Sequence, residues 1–165
     1  MNSSFEVSTD QRQLFLDDAG IAEVRNLTRT LHQPQKRGAV VRSSKPHQTI
    51  STPVWDPDEK LFKFWVIGTD ESYRISLDGL HWTAGPKQTN GVSMAVRDPN
   101  DPNPKYRYKA ALGNDGFAVS PNGINWTKLD VPAIPSFDEY NFSYNPTENL
   151  FIHTVKRDGP DDRWL

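Results

Sequence analysis

The stretch Tyr73-Arg74-Ile75-Ser76-Leu77-Asp78-Gly79-Leu80-His81-Trp82 returns as Phe117-Ala118-Val119-Ser120-Pro121-Asn122-Gly123-Ile124-Asn125-Trp126, with Ser76 and Ser120 set 44 residues apart. Both copies read S-x-[DN]-G-x-x-W, and self-similarity at such a period marks a repeat architecture. A second marker lies upstream of this one. It is Val54-Trp55-Asp56-Pro57, then Val96-Arg97-Asp98-Pro99, then Ser143-Tyr144-Asn145-Pro146, at steps of 42 and 47 residues. The two markers share one register.

Each Asp-Pro or Asn-Pro corner is followed by a strand-like run: residues 61–67 (LFKFWVI), 106–112 (YRYKAAL) and 150–155 (LFIHTV). The first and third are apolar on both pleat faces, the pattern of a strand covered on two sides. A first strand ending at the Pro corner, a hairpin, an apolar second strand, a third strand and a Trp-closed turn make up one blade of a β-propeller, for which about 40 to 50 residues is usual. The expected fold is therefore all-β, a partial propeller of two to three four-stranded antiparallel blades. Residues 1–13 read as a flexible N-terminus and 14–165 as the incomplete propeller, with units at about 48–88, 89–134 and 135–165.

Within the turn, Asp78 or Asn122 is suited to accept backbone N–H bonds. Gly79 or Gly123 supplies positive φ, and Trp82 or Trp126 is expected to bury its ring between blades. The turn resembles the Asp-box of sialidases and other propellers, which implies a structural role. The N-terminal third lacks the repeat. There Leu14 to Leu16 and Leu27 to His32 are expected as strands completing an outer blade, although Ile21, Val24, Leu27 and Leu31 would also share one face of a helix. Two full units and the start of a third fall short of the four blades of a closed ring, so self-association through open strand edges is expected.

The composition narrows the function. With 19 Lys+Arg against 21 Asp+Glu the formal charge is −2, and no basic run stands out, which argues against nucleic acid or an anionic membrane as the main partner. The absence of Cys removes disulfide frameworks, thiolate zinc sites and cysteine nucleophiles. Met1 to Asp10 has neither a basic n-region nor an apolar h-region, so no signal peptide is read here and localisation, cytoplasmic or exported with a signal removed, stays open. His32, His47, His81 and His153 have no metal-ligand spacing, and the acidic clusters lack a calcium-loop pattern; no metal and no cofactor are expected. No G-x-S-x-G elbow or phosphate-cradling Gly loop is present.

The segments Leu14-Phe15-Leu16-Asp17-Asp18 and Leu27-Thr28-Arg29-Thr30-Leu31-His32-Gln33-Pro34, the two Trp-closed turns, and Asp98-Pro99-Asn100-Asp101-Pro102-Asn103-Pro104 with Arg107-Tyr108-Lys109 carry a resemblance. Together they resemble the N-terminal half of bacterial five-bladed β-propeller proteins classed with the glycoside hydrolases, related in architecture to families 32 and 43. The resemblance covers about Leu14 to Pro160. It implies a sugar-binding funnel at the ring axis and carboxylates on the innermost strands that divide acid and base roles. Asp138 and Glu139, ahead of the third inner strand, are the implied catalytic positions. At the comparable places in the first two units stand His47 with Gln48 and Thr89 with Asn90, where carboxylates are missing. Arg97-Asp98-Pro99 resembles the family 32 motif whose Asp holds sugar hydroxyls. On that resemblance Asp98 is the third candidate catalytic residue, but it also recurs as Asp56 and Asn145, which reads as a turn former. His47, Asn90, Arg97 and Asn141 are candidate hydroxyl-binding neighbours. Trp55, at a strand end, is the stacking candidate, whereas Trp65 is read as core. The functional expectation is a carbohydrate-active propeller, a glycosidase-like protein or fragment, with a non-catalytic glycan- or protein-binding propeller or an inactive truncated fragment as the alternatives.

Overall fold

A computed structural model describes Thr9, Leu14, residues 16–18, 20–42, 45–68 and 71–159, and the backbone of 162–164. The chain divides into two units, Met1–Lys36 and Arg37–Leu165. The flexible segment expected over 1–13 lies outside the described residues except for Thr9.

In the first unit none of the described residues is in a strand or a helix. The expected strand over Leu27 to His32 is irregular chain instead, as are Leu14 and Leu16, while Phe15 lies outside the described residues. Leu14, Leu16, Leu27 and Leu31 are each more than 70 % exposed. Such residues pair as a strand only where a neighbour takes up their backbone groups, and among the described residues no strand pairs with them.

The second unit is built on the repeat. Its first sheet has the order β1 (Val54–Asp56), β2 (Leu61–Trp65), β3 (Tyr73–Ser76), β4 (Thr83–Ala84), all antiparallel. The second sheet repeats this as β5 (Ala95–Arg97), β6 (Tyr108–Ala111), β7 (Phe117–Ser120), β8 (Thr127–Lys128). A hairpin of β9 (Tyr140–Asn145) and β10 (Leu150–Val155) forms a third sheet of two strands. After β10 comes a further short hairpin, β11 (Arg157–Gly159) with β12 (Asp162–Trp164).

Registers show how closely the sheets repeat. Val54 pairs with Lys63, Val96 with Lys109 and Ser143 with Ile152, each two residues before the Pro corner. The Trp-closed turns are superimposable in their bonding. Ser76 Oγ accepts from Gly79 N–H at 2.9 Å and donates to Asp78 Oδ1 at 3.1 Å, and Oδ1 accepts from Leu80 and His81 N–H, both at 2.8 Å. Ser120 and Asn122 repeat this with Gly123, Ile124 and Asn125 at 2.9, 3.0 and 2.9 Å. One hydroxyl and one Oδ1 thus satisfy the N–H groups that the tight turn leaves unpaired. Gly79 and Gly123 hold φ of 74° and 77°, which a side chain would resist.

The first two sheets pack face to face through Trp65, Tyr73, Tyr108 and Trp126, all buried. Trp65 lies 6.1 Å from Tyr108 and 6.3 Å from Trp126 by ring centroids, edge-on in both cases. Its indole N–H donates to Gly123 O at 3.0 Å, so the turn of one sheet is pinned to the core strand of its neighbour. The second sheet meets the third through Met94, Ala111 and Phe142. Successive four-stranded antiparallel sheets stacked in this way are compatible with neighbouring blades of a partial propeller.

The third sheet departs from expectation in one respect. β10 was read as covered on two faces, yet Leu150, Phe151 and Ile152 are 44, 37 and 48 % exposed, whereas in the equivalent stretch of β2 Leu61 and Phe62 are half-buried and Lys63 is buried. β2 owes its burial to β3 on its far edge and to the next sheet on its face; among the described residues β10 has neither. This is the open edge on which self-association was expected.

Candidate functional site

The first strands of the three sheets gather together, β1 against β5 and β5 against β9. Between them opens a cleft of about 620 Å³. Trp55 stands on one wall, Arg97 in the middle, and Asn141, Ser143 and Tyr144 on the far wall, with Ser51 and Thr52 ahead of β1. Val54, Ala95, Val96 and Phe142 line the rest. Consecutive residues of each strand line it, because β1, β5 and β9 are each an edge strand of their sheet and the space runs along those edges.

The aromatic walls are braced from behind. Trp55 is 44 % exposed and leans on Phe62 at 4.8 Å. Tyr144 stacks on Phe151 at 4.6 Å, and its hydroxyl accepts from Asn100 Nδ2 at 2.8 Å while donating to Asn149 Oδ1 at 2.9 Å. Arg97 donates to Asp58 Oδ2 at 2.7 Å, and Arg107 donates to the same oxygen at 2.7 Å. Arg97, the cation lining the cleft among the described residues, thus shares one oxygen of the 65 % exposed Asp58 carboxylate with Arg107.

Beneath this surface lies an ion-pair device that the repeat duplicates. Asp56 is 3 % exposed and Lys63 is wholly buried. Lys63 Nζ sits 2.8 Å from Asp56 Oδ2 and donates to Glu59 at 2.6 Å and to Asn122 O at 3.0 Å. Tyr108, from the neighbouring sheet, donates its hydroxyl to Asp56 Oδ2. Asp56 Oδ1 meanwhile accepts from Asp58 and Glu59 N–H, shaping the corner into β2. Burial opposes the charge on Asp56. Hydrogen bonds from Lys63, Tyr108 and Glu59 N–H outweigh it and hold the carboxyl at about 2, below its usual 3.8. The Tyr108 hydroxyl is pushed up, first by burial and then by its bond to that carboxylate.

In the second sheet Asp98 is 3 % exposed and its Oδ2 accepts from Lys109 at 2.6 Å. Burial raises the Asp98 carboxyl, but Lys109, Tyr144 and Asn100 N–H together bring it below the usual range. In the third sheet the equivalent positions are Asn145 and Ile152. Where the lysine is replaced by an apolar residue, the acid is replaced by its neutral amide. Asn145 Oδ1 still accepts from Thr147 N–H at 3.0 Å and Glu148 N–H at 3.3 Å, so the corner survives without the charge.

The candidates read from the sequence separate into groups. Trp55, Arg97 and Asn141 converge on the cleft. Asp98 lies buried beside it in the Lys109 pair. Glu139 lines an adjoining depression that shares Asn141, together with Thr49 and Ile50. Asp138 is held by Lys156 at 2.6 Å. His47 makes a 3.4 Å contact with Lys45 O, and Asn90 donates to Trp126 O at 3.2 Å; both lie away from the cleft. No carboxylate lines the cleft among the described residues.

No family model, curated protein or solved structure matches this chain. The functional reading is carried by the cleft itself. Thr52, Ser143 and Tyr144 line it and were missed as site residues, because single Ser, Thr and Tyr positions carry no sequence signal apart from their place on a shared face. Lys63 was also missed, although a lone lysine inside Leu61-Phe62-Lys63-Phe64-Trp65, matched by Lys109 in the second copy, is a visible mark of a buried pair.

Proposed function

We propose that the protein is a glycan-binding module of propeller type that holds a neutral sugar in the cleft between β1, β5 and β9. The observation that carries this is the exposed, Phe62-braced indole of Trp55 in a cleft also lined by Asn141 and Ser143. An indole face meets pyranose C–H groups, while amide and hydroxyl side chains exchange hydrogen bonds with sugar hydroxyls.

Binding without hydrolysis is the better supported form of the carbohydrate-active reading. Glycoside cleavage needs two carboxyls flanking the bond, with environments that split their pKa values. The Asp98 carboxyl is buried and held ionised by Lys109, and the Asp138 carboxylate is paired with Lys156. Glu139 alone reaches a depression next to the cleft.

Titration calorimetry against a panel of neutral oligosaccharides tests the proposal. At least one should bind, and Trp55→Ala should weaken it by about tenfold or more, in line with the loss of one stacked aromatic ring. Failure of every sugar to bind, or indifference to Trp55→Ala, refutes it. Turnover of aryl-glycosides that disappears in Glu139→Gln while sugar binding persists would instead establish a hydrolase.

A further inference from the structure

On the first sheet, on the face turned away from the second, residues 37–42 cover β3 and the Trp-closed turn and leave a pocket of about 530 Å³. Arg37, Arg42, Arg74, His81 and Trp82 line it, and no carboxylate does so among the described residues. Three guanidinium groups around one cavity stand out in a chain whose formal charge is −2.

Arg74 is the telling member. It is 5 % exposed, and its Nε–H is buried without a hydrogen-bond partner. Its only described ion-pair contact is from Nη2 to Glu71, at 2.9 Å, and that Glu71 carboxylate is 59 % exposed. An exposed carboxylate gives modest compensation for a buried cation, and a buried donor left unpaired costs free energy. The strand does not require an arginine here. The equivalent position in the second sheet is Ala118, 1 % exposed and packed in the core. The third sequence position of each repeat turn is likewise informative: Asp78 takes His81 Nδ1 at 2.6 Å, whereas its counterpart Asn122 has no histidine three residues on. Trp82 spends its indole N–H on Gly79 O at 3.0 Å, so what remains for a ligand is the ring.

We propose that this pocket binds the sulfate or carboxylate group of an acidic sugar, with the Arg74, Arg42 and Arg37 guanidinium groups around the anion and the Trp82 ring beside the sugar. Guanidinium forks match the oxygens of such groups, and an aromatic wall beside them suits a carrier with C–H faces. The sugar as carrier rests on the glycan-binding reading above; the anion rests on the arginines alone.

The experiment pairs each charged probe with its neutral twin: N-acetylglucosamine 6-sulfate against N-acetylglucosamine, glucuronate against glucose, and inorganic sulfate by itself. Binding is followed by calorimetry and by the indole N–H resonance of Trp82 in the full chain. The charged sugars should bind at least tenfold tighter than their twins, shift Trp82, and weaken as salt rises. Arg42→Ser and Arg37→Ser, both at exposed positions, should each reduce affinity severalfold, and Arg74→Ala, which copies Ala118, should abolish the preference for charge. Equal binding of charged and neutral sugars, an unmoved Trp82 resonance, or indifference to Arg42→Ser overturns the proposal. So does a response to inorganic sulfate with none to the acidic sugars, which marks an adventitious ion only. Trp55→Ala separates the two readings: it should remove neutral-sugar binding in the cleft and leave the Trp82 response intact.

Discussion

Replacing Lys63 with isoleucine strands the Asp56 carboxylate in the interior. The third sheet, with Asn145 and Ile152 at the same two positions, shows how to relieve it. Asp56 is 4 % exposed by side chain, and in Lys63→Ile it keeps Tyr108, two backbone N–H groups and Arg97 Nε at 3.8 Å, but loses its hydrogen-bonded cation. Removing one partner of a buried pair costs about 3–5 kcal/mol, because the other charge is left uncompensated. The double variant Asp56→Asn, Lys63→Ile removes both charges and keeps the amide oxygen that the corner needs. What it forfeits is the bonds from Lys63 to Asn122 O and to the half-exposed Glu59 and, because the amide puts an NH2 where Oδ2 accepted from Tyr108, that buried bond as well, about 2 kcal/mol together. The double variant should therefore be more stable than the single one by about 1 kcal/mol or more. Urea unfolding at pH 7, followed by tryptophan fluorescence, reads both values. Acid provides an independent arm. A carboxyl held at about 2 in the folded chain against 3.8 unfolded contributes about 2 kcal/mol, fully present above the unfolded value and lost as pH falls through the folded one. The wild type should show that loss below about pH 4 and the double variant should lack it. A cost under about 1 kcal/mol for Lys63→Ile, or a double variant as unstable as the two single changes added, would refute the idea that Asp56 and Lys63 act as one unit.

Gly79→Ala and Gly123→Ala force the same left-handed backbone and should each cost about 1 kcal/mol for that alone. A Cβ on Gly79 meets Phe62 at an ordinary 3.7 Å, whereas one on Gly123 comes within 2.9 Å of Trp65; thermal unfolding should show Gly123→Ala as clearly the worse of the two. Asn122→Ala leaves Ile124 and Asn125 N–H without their acceptor and should lower stability by about 1–2 kcal/mol in the same assay. His153 is ringed by Phe117, Tyr140 and Phe142, its two nitrogens are buried without partners, and burial depresses its pKa below 6.5. Its contribution to stability is thus complete above pH 6.5 and falls away as the pH drops below that value toward the depressed folded pKa. Urea midpoints measured across this range should slope downward toward acid in the wild type and flatten in His153→Phe.

The repeat was legible along the chain because its chemistry is local. Ser76 and Asp78 satisfy N–H groups within three residues of themselves, and Asp56 or Asn145 does the same at its corner, so the residue types sit at fixed spacing wherever the turn recurs. Strand placement followed from the same markers, and β10 spans the residues that the apolar run outlined. The N-terminal segment shows the opposite case. Its leucines fit a strand as well as a helix, but pairing is a property of a neighbour, and among the described residues no strand pairs with Leu27 to Leu31. The sites belong with that second class. Trp55, Arg97 and Asn141 are up to 86 positions apart in the chain and meet because β1, β5 and β9 run side by side. Asp98 looked like a sugar ligand in Arg97-Asp98-Pro99 until Lys109 was found against it. Turns are written in neighbouring residues, whereas a cleft, a buried ion pair or an arginine-lined pocket exists only once distant strands have been brought within a few ångströms, and that distance is set by packing.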